Sequence, residues 1–256
     1  MTRTILIASG KGGVGKTTLT SNLAYALTQL GENVIAVDAN LTTPNLGLHF
    51  GMHLAPRTLQ DVLKGKIRLD KAMYSHPYGF RFIPASISTR DLAGVDVGRL
   101  QSVMLGLTGK ADYVLMDCAA GLGREATSAI AAADEILLVT NPDLPSVADA
   151  LKAAEVARGM NKDIIGVVVN RTKGKRHELG IGAIRELLEV PVIAQIPEDR
   201  MVAESIAAKR PIMDYASDSP AAVEILKLAA KLSGRRLKAS STNVSVLRRL
   251  INWMRR

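Results

Sequence analysis

The sequence predicts a single α/β domain with a doubly wound, mostly parallel sheet of about seven or eight strands and helices on both faces. Three observations lead to this class. Short apolar segments alternate with helix-patterned segments, the apolar segments are hydrophobic throughout, and a glycine-rich loop joins the first strand to the first helix. Strands that are apolar on both faces are typical of parallel sheets buried between two layers of helices.

The composition agrees with one large domain. A chain of 256 residues with 47% hydrophobic residues can bury a large core, and because only 4% are aromatic, that core must be mainly aliphatic. The one cysteine, Cys118, excludes an internal disulfide framework and indicates a reducing compartment, so we expect a cytoplasmic protein. No run of about 18 apolar residues is present, which argues against a membrane-spanning helix.

The order of elements follows from the apolar runs and from residues that begin or end helices. Gly31 is expected to end the first helix, Asn141 and Pro142 to form a turn, and Pro145 to occupy the first turn of a later helix. The expected strands cover residues 4–9, 33–38, 80–84, 111–117, 135–140, 164–170 and 192–196. The expected helices cover residues 19–30, 59–64, 97–107, 124–133, 145–159, 182–189, 200–209 and 220–232.

The glycine-rich loop, residues 10–18 with the sequence GKGGVGKTT, is the most informative stretch. Glycines let the backbone curl around an anion with its N–H groups turned inward, and the dipole of the following helix adds to that positive field. In the pattern G-x-x-x-x-G-K-[ST], Lys16 reaches the β- and γ-phosphates and the hydroxyl of Thr17 ligates Mg²⁺. The loop therefore predicts a nucleoside triphosphate site made by Gly10, Lys11, Gly12, Gly13, Val14, Gly15, Lys16, Thr17 and Thr18.

A second lysine, Lys11, follows the first glycine, where it cannot easily reach the phosphates that its own loop surrounds. Residues 11–18 match the K-G-G-x-G-K-[TS]-T motif, so the sequence resembles the MinD/ParA family of deviant Walker A ATPases, and most closely its MinD branch. The resemblance implies an ATP-dependent homodimer in which Lys11 crosses to the partner's phosphates and, with Lys16, serves catalysis as an arginine finger does. It also aligns Asp149, approximately, with an interface residue that faces this lysine. A solvated loop lysine and a solvated helix aspartate are the alternatives.

Two aspartates, Asp38 and Asp117, end predicted strands. The carboxyl ends of parallel strands share one edge of the sheet, so both carboxylates are expected near Thr17, where they hold Mg²⁺ mainly through water. Residues 117–121, DCAAG, resemble the D-x-x-x-G switch II of the family, which implies that the backbone N–H of Gly121 approaches the γ-phosphate. Helix N-capping is the alternative role for Asp117.

Residues 38–45, DANLTTPN, resemble the switch I of the family, in which a second aspartate is assigned to the attacking water. This chain has Asn40 at that position. An amide can orient water through its oxygen but cannot act as a carboxylate base, so we expect Mg²⁺-dependent ATP hydrolysis to be slow. We expect an Asn40→Asp substitution to change the single-turnover rate at least severalfold.

Base recognition is expected at the ends of the last two strands. The resemblance implies that an N-R pair and an I-P-E stretch lie against adenine, and these correspond here to Asn170, Arg171, Pro197, Glu198 and Asp199. The Asn170 amide offers both a donor and an acceptor. Because the chain has no Asn-Lys-x-Asp guanine reader, we expect ATP rather than GTP.

The net charge of +9 is concentrated near the C-terminus. Residues 235–256 hold seven basic residues and no acidic one, which leaves 26 basic and 24 acidic residues in the rest of the chain. On a helical wheel, residues 244–256 separate into an apolar face and a face rich in arginine, a pattern typical of a helix that lies in an anionic lipid interface. This helix also resembles the membrane-targeting C-terminus of the MinD branch, and packing on the body of the protein is the alternative. Its expected membrane contacts are Val244, Val246, Leu247, Leu250, Ile251, Trp253, Met254, Arg248, Arg249, Arg255 and Arg256.

The expected organisation is an ATPase domain over residues 1–233, a flexible basic tether over 234–243 and a membrane-targeting helix over 244–256. The resemblance implies a cytoplasmic ATPase that dimerises on ATP, binds the inner face of the cell membrane and positions a regulatory or cargo protein, such as cell-division machinery. A DNA-associated partitioning ATPase of the ParA type is one alternative, although the near-neutral body argues against nucleic acid. An ATP-gated scaffold with little hydrolysis is another.

Overall fold

The computed structural model describes residues 1–52 and 54–235, which contain one eight-stranded sheet. Across the sheet the strands lie in the order β3-β4-β2-β5-β1-β6-β7-β8. Every neighbouring pair is parallel except β3 with β4, so the expected mostly parallel sheet is confirmed. The strands are β1 (Arg3–Ala8), β2 (Val34–Asp38), β3 (Tyr74–Ser75), β4 (Arg81–Ile83), β5 (Tyr113–Asp117), β6 (Glu135–Thr140), β7 (Asp163–Thr172) and β8 (Val192–Pro197).

Helices cover both faces of the sheet, as the apolar strands predicted. Consecutive side chains of β1 enter opposite cores: Ile5 and Ile7 pack with α1, α9 and α10, whereas Leu6 packs with α3 to α7. A strand with two buried faces has to be apolar throughout, which explains the sequence pattern. The α-helices in the described residues are α1 (Lys16–Gln29), α2 (Leu46–His49), α3 (Leu59–Leu63), α4 (Leu100–Leu105), α5 (Arg124–Ala132), α6 (Leu144–Gly159), α7 (Ile181–Leu188), α8 (Arg200–Ala207), α9 (Ile212–Tyr215) and α10 (Pro220–Leu232).

Some elements differ from the sequence prediction. The helix expected over residues 97–107 is shorter, because a 3₁₀ turn (Val97–Arg99) leads into α4, which ends before Gly106. The two-residue strand β3 and the four-residue helices α2 and α9 were not predicted. Elements this short do not display a hydrophobic period, so only their tertiary contacts define them.

The end of the described chain is fixed to the first strand. The guanidinium of Arg3 donates to the carbonyl of Leu232 at 2.6 Å, and the hydroxyl of Tyr113 donates to the same oxygen at 3.1 Å. Arg235 forms an ion pair with Glu32 at 2.7 Å. The predicted helix over residues 244–256 and most of the predicted tether lie outside the described residues. Within the described residues, no helix combines the length and the hydropathy that crossing a bilayer requires.

Candidate functional site

The glycine-rich loop leaves the centre of the sheet at the end of β1 and enters α1 at Lys16. Gly15 has a φ of +102°, and a Cβ there would lie 2.3 Å from Nδ2 of Asn170. A Cβ on Gly10 would lie 2.0 Å from the backbone oxygen of Asp149. Glycine is therefore required at both ends of the loop, because α6 and the end of β7 approach its backbone too closely for any side chain.

Lys16 lines a cavity of about 440 Å³ together with Gly12, Gly13, Thr17 and Thr18. Its side chain is buried, and its Nζ lies 3.4 Å from the carbonyl oxygen of Lys11. Burial lowers the pKa of Lys16, and no carboxylate in the described residues forms an ion pair with it. A buried ammonium group without a carboxylate partner, in a cavity lined by Gly12, Gly13 and Gly15, is suited to an anionic ligand such as a phosphate.

Asp117 and Asp38 lie side by side because β2 and β5 pair in register at these two residues. Asp117 accepts a hydrogen bond from the Thr17 hydroxyl at 2.6 Å, whereas its other oxygen is buried without a partner in the described part of the chain. The two oxygens of Asp38 accept instead from the backbone N–H groups of Leu46 and Asn40, at 3.0 and 3.3 Å. Asp117 thus adjoins Thr17 as expected, and Asp38 holds the loop that follows β2.

The two aspartates form a site that favours a cation. Burial raises the pKa of Asp117 to about 6, and burial together with the neighbouring charge of Asp117 raises the pKa of Asp38. Two adjacent buried carboxylates repel each other and lack solvation, so a divalent cation would stabilise their charged forms. The unpaired oxygen of Asp117 and the hydroxyl of Thr17 are oxygen ligands of the kind that Mg²⁺ prefers. The residues present therefore fit one Mg²⁺ beside the phosphate cavity.

Asn40 is buried in the wall of the same cavity, but its amide is engaged within its own loop. Its Nδ2 donates to the carbonyl of Thr43 at 2.6 Å, and its Oδ1 accepts from the backbone N–H of Thr43 at 3.2 Å. The next residue but one, Thr42, donates its N–H and its hydroxyl to Glu125 at the start of α5. Glu125 was not predicted, because nothing in the local sequence pattern connects α5 with switch I.

Lys11 lies outside the lining of the phosphate cavity and contacts the start of α6. Its Nζ is 3.2 Å from the hydroxyl of Ser146 and 3.7 Å from a carboxylate oxygen of Asp143. Within one chain, the side chain of Asp149 pairs with Lys152 at 3.1 Å. A contact of Asp149 with a second copy stays a prediction. Asp143 was missed as a partner of Lys11, although an aspartate before a proline-started helix is a typical N-cap.

A second cavity, of about 300 Å³, adjoins the first at Gly15 and Thr18. All five residues predicted to contact the base line it. Several of them already have partners: Nδ2 of Asn170 donates to the carbonyl of Val14 at 2.7 Å, and Asp199 accepts from the N–H of Met201 at 2.9 Å as the N-cap of α8. Glu198 pairs with Lys173 at 2.6 Å at the rim of the cavity. Asn170 therefore fixes the loop with one N–H of its amide and keeps its second N–H and its oxygen for a base.

Gly121 lies in the loop between β5 and α5 and has a φ of +83°, a conformation that favours glycine. Cys118, in the same loop, is buried, and burial raises the pKa of its thiol to about 12. The thiol is therefore a packed, unreactive group at neutral pH.

A phosphate cradle at the switch point of a parallel sheet, with a buried lysine and a strand-end aspartate beside the following hydroxyl, defines a P-loop nucleotide-binding protein. Residues 5–212 match the family model of the CobQ/CobB/MinD/ParA nucleotide binding domain. The chain belongs to this family, and within it to the MinD/ParA ATPases.

The relatives agree with this assignment. An uncharacterised ATP-binding protein of Methanocaldococcus jannaschii is 41% identical over 92% of this chain and 89% of that protein. The septum site-determining protein MinD of Pyrococcus horikoshii, solved as a complex with Mg-ADP, is 36% identical with a TM-score of 0.88, covering 91% of this chain and 96% of that one. A chain of the MinC:MinD cell division protein complex of Aquifex aeolicus is 30% identical with a TM-score of 0.82, covering 93% of this chain and 98% of that one.

Proposed function

We propose that this chain is a MinD-like, Mg²⁺-dependent ATPase that dimerises when ATP is bound and attaches reversibly to anionic membranes through residues 244–256. The observation that supports it most is the position of Lys11, whose ammonium group is turned from its own phosphate cavity towards Asp143 and Ser146 at the start of α6. From the outer side of the loop, this ammonium group would exchange its contacts with Ser146 and Asp143 for the phosphates of a second copy.

The residues of the site take separate roles in this proposal. The loop N–H groups and Lys16 bind the β- and γ-phosphates, while Thr17 and Asp117 hold Mg²⁺, with Asp38 acting through water. Mg²⁺ supplies neutralisation of phosphate charge when bound. Lys11 of the second copy adds positive charge at the γ-phosphate, where charge develops in the transition state. The base contacts Pro197 and the amide of Asn170, which keeps its oxygen and one N–H for this purpose.

Membrane attachment through residues 244–256 would be weak for a single chain and strong for the two chains of a dimer. A free helix shorter than about 12–15 residues is marginal in water, and ordering it costs roughly 1 kcal/mol per residue. Each arginine near an anionic surface returns about 1 kcal/mol. Two membrane-targeting helices on one dimer raise avidity by about 10²- to 10⁴-fold. Because ATP binding forms the dimer in this proposal, membrane binding should depend on ATP.

Vesicle co-sedimentation tests this function. The full chain should pellet with anionic phospholipid vesicles in ATP and stay in the supernatant in ADP. Leu250→Glu, on the predicted apolar face, should weaken binding at least about tenfold, because burying a leucine is worth about 1.5–3 kcal/mol. Ser245→Glu adds the same charge to the opposite face and serves as the matched control, with a smaller effect. Binding that is equal in ATP and ADP, or equal for both variants, would contradict the proposal.

Asn40→Asp should raise the single-turnover rate of ATP hydrolysis at least severalfold, because a carboxylate can accept the proton of the attacking water and such help is worth about 10²- to 10⁴-fold. Asn45→Asp is the matched control. Asn45 lies in the same loop and lines the same cavity, so this substitution adds the same charge there. Rapid-quench measurement with excess enzyme isolates the chemical step. An unchanged rate for Asn40→Asp would remove Asn40 from the mechanism.

The partner in this proposal is a protein recruited to the ATP-bound, membrane-attached dimer. The similarity to a chain of the MinC:MinD complex supports a regulatory partner in cell division. The near-neutral body of the chain gives no support to nucleic acid.

A further inference from the structure

The phosphate cavity is also lined by an imidazole that the proposed mechanism does not use. His49, the last residue of α2, lies in its wall with Thr17 and Thr18. Its ring rests against α1, where Nδ1 is 3.4 Å from the hydroxyl oxygen of Ser21. Ser21 follows Thr18 by one helical turn, so the imidazole sits beside the part of α1 where the two cavities adjoin.

The position of His49 is fixed at both ends of α2. The backbone N–H of Leu46 at the start of the helix donates to Oδ2 of Asp38 at 3.0 Å. Phe50, which follows His49, is buried against Phe80 and Phe82, with ring centroids 4.7 and 5.0 Å away. His49 is therefore a held group in the cavity wall, and its free ring nitrogen has a defined place.

The hydrogen bonds around Ser21 assign the tautomer of His49. The hydroxyl of Ser21 has a single proton, and its oxygen lies 3.0 Å from the carbonyl of Thr18 but 3.4 Å from Nδ1 of His49. The proton goes to the nearer carbonyl, which is always an acceptor, so Nδ1–H of His49 donates to the serine oxygen. Nε2 then carries a lone pair, and it has no hydrogen-bond partner among residues 1–52 and 54–235.

The charge and the tautomer of the His49 imidazole determine which groups of a ligand it can contact. Burial lowers the pKa of His49 to about 4, so the ring is uncharged at neutral pH. The lone pair of Nε2 repels phosphate oxygens, which carry no proton, and accepts from an O–H or N–H donor. The amino group of a base would lie in the adjoining cavity, which His49 does not line, so the donors that remain are hydroxyl groups. A nucleoside di- or triphosphate presents hydroxyl groups only on its ribose, and the ribose joins the phosphates at Thr18 to the base in the adjoining cavity.

We propose that His49 accepts a hydrogen bond at Nε2 from a ribose hydroxyl of the bound nucleotide and so favours ribonucleotides over deoxyribonucleotides. This inference rests on the proposed ATP-binding function and deepens it, because it names a specificity-determining residue for the sugar.

Isothermal titration of the full chain with Mg-ADP, Mg-2′-deoxy-ADP and Mg-3′-deoxy-ADP tests the inference. The wild-type chain should bind one of the deoxy analogues about 3- to 10-fold more weakly than ADP, the effect of one neutral hydrogen bond. His49→Leu should lose affinity for ADP by the same factor and bind that analogue as tightly as ADP. His49→Gln, whose amide oxygen can accept near the position of Nε2, should keep part of the discrimination. The deoxy analogue that binds more weakly identifies the ribose hydroxyl that donates to His49.

Several results would overturn this inference. His49→Leu could bind all three nucleotides as tightly as the wild type, or lose affinity for all three by one common factor, which would mean that His49 only supports α2. Equal wild-type affinity for ADP and both analogues would also overturn it. If the wild-type chain bound no Mg-ADP at all, the proposed function would fail together with the inference, so the two failures are distinguishable.

Discussion

Lys11→Ala is expected to lower the steady-state rate of ATP hydrolysis by about 10³-fold, in the range for loss of an arginine finger. Its affinity for Mg-ADP should stay nearly unchanged. The reason lies in the geometry of one chain, where Lys11 contacts Ser146 and Asp143 and lines no part of the phosphate cavity. Its loss therefore removes nothing from nucleotide binding by the monomer, but it removes a positive charge that a dimer would bring to the γ-phosphate.

Lys152→Ala is the control for this experiment. Lys152 is an exposed lysine on α6 that pairs with Asp149, so its removal makes the same change of charge near the same helix. Hydrolysis by this variant should remain close to the wild-type rate, and the specific activity of the wild-type chain should rise with protein concentration as dimers form. If Lys11→Ala hydrolyses ATP normally, or loses ADP affinity as strongly as activity, the trans role is wrong.

Asp117→Asn should have opposite effects on activity and on stability. Hydrolysis in Mg²⁺ should fall by at least about 10²-fold, as when other electrostatic groups of a catalytic site are removed. The nucleotide-free chain should become more stable at pH 7–8, by on the order of 2 kcal/mol, because the amide does not carry the charge whose burial raises the pKa of Asp117 to about 6. Urea unfolding and a phosphate-release assay measure the two effects on the same preparation.

The direction of the stability change follows from how the free energy of unfolding depends on pH. A carboxyl group with a folded pKa near 6 and an unfolded pKa near 4 binds more protons when folded, so the wild-type chain loses stability as pH rises through that window. The advantage of Asp117→Asn should therefore be largest above pH 7 and shrink towards pH 4, where both side chains are neutral. Added Mg²⁺ with nucleotide should reduce the advantage by stabilising the wild-type carboxylate. A gain in stability that is the same at pH 4 and pH 8 would contradict this account.

The sequence was most informative where function depends on spacing along the chain. The glycine-rich loop needs an apolar strand before it and a helix after it, and both could be recognised from local patterns. The carboxyl ends of parallel strands meet at one edge, so the strand pattern alone placed an aspartate that ends a strand near Thr17. Asp117 follows this logic, with its carboxylate 2.6 Å from the hydroxyl of Thr17.

Contacts between distant segments could not be predicted from local sequence patterns. Two contacts join loops whose separation depends on the order of strands across the sheet. They are the contact of Asp143 with Lys11 and that of Glu125 with Thr42. Asn40 shows a further limit, because its residue type suggested a role at water, whereas its partners lie in its own loop. A short polar side chain can bond its local backbone or a distant group, and spacing alone does not distinguish the two.

By itself, the sequence determined the α/β class, the phosphate loop and the strand-end carboxylates of this protein, because each of these depends on periodicity or on a run of neighbouring residues. Only the tertiary structure decided where Lys11 points, that Asn170 uses its donor to hold Val14, and that His49 enters the wall of the phosphate cavity. The physical reason is that these positions depend on which strands are neighbours and on how closely helices pack against them. Those relations join residues that are 28 positions apart in the case of His49 and Ser21 and 156 positions apart in the case of Asn170 and Val14, so local spacing does not predict them.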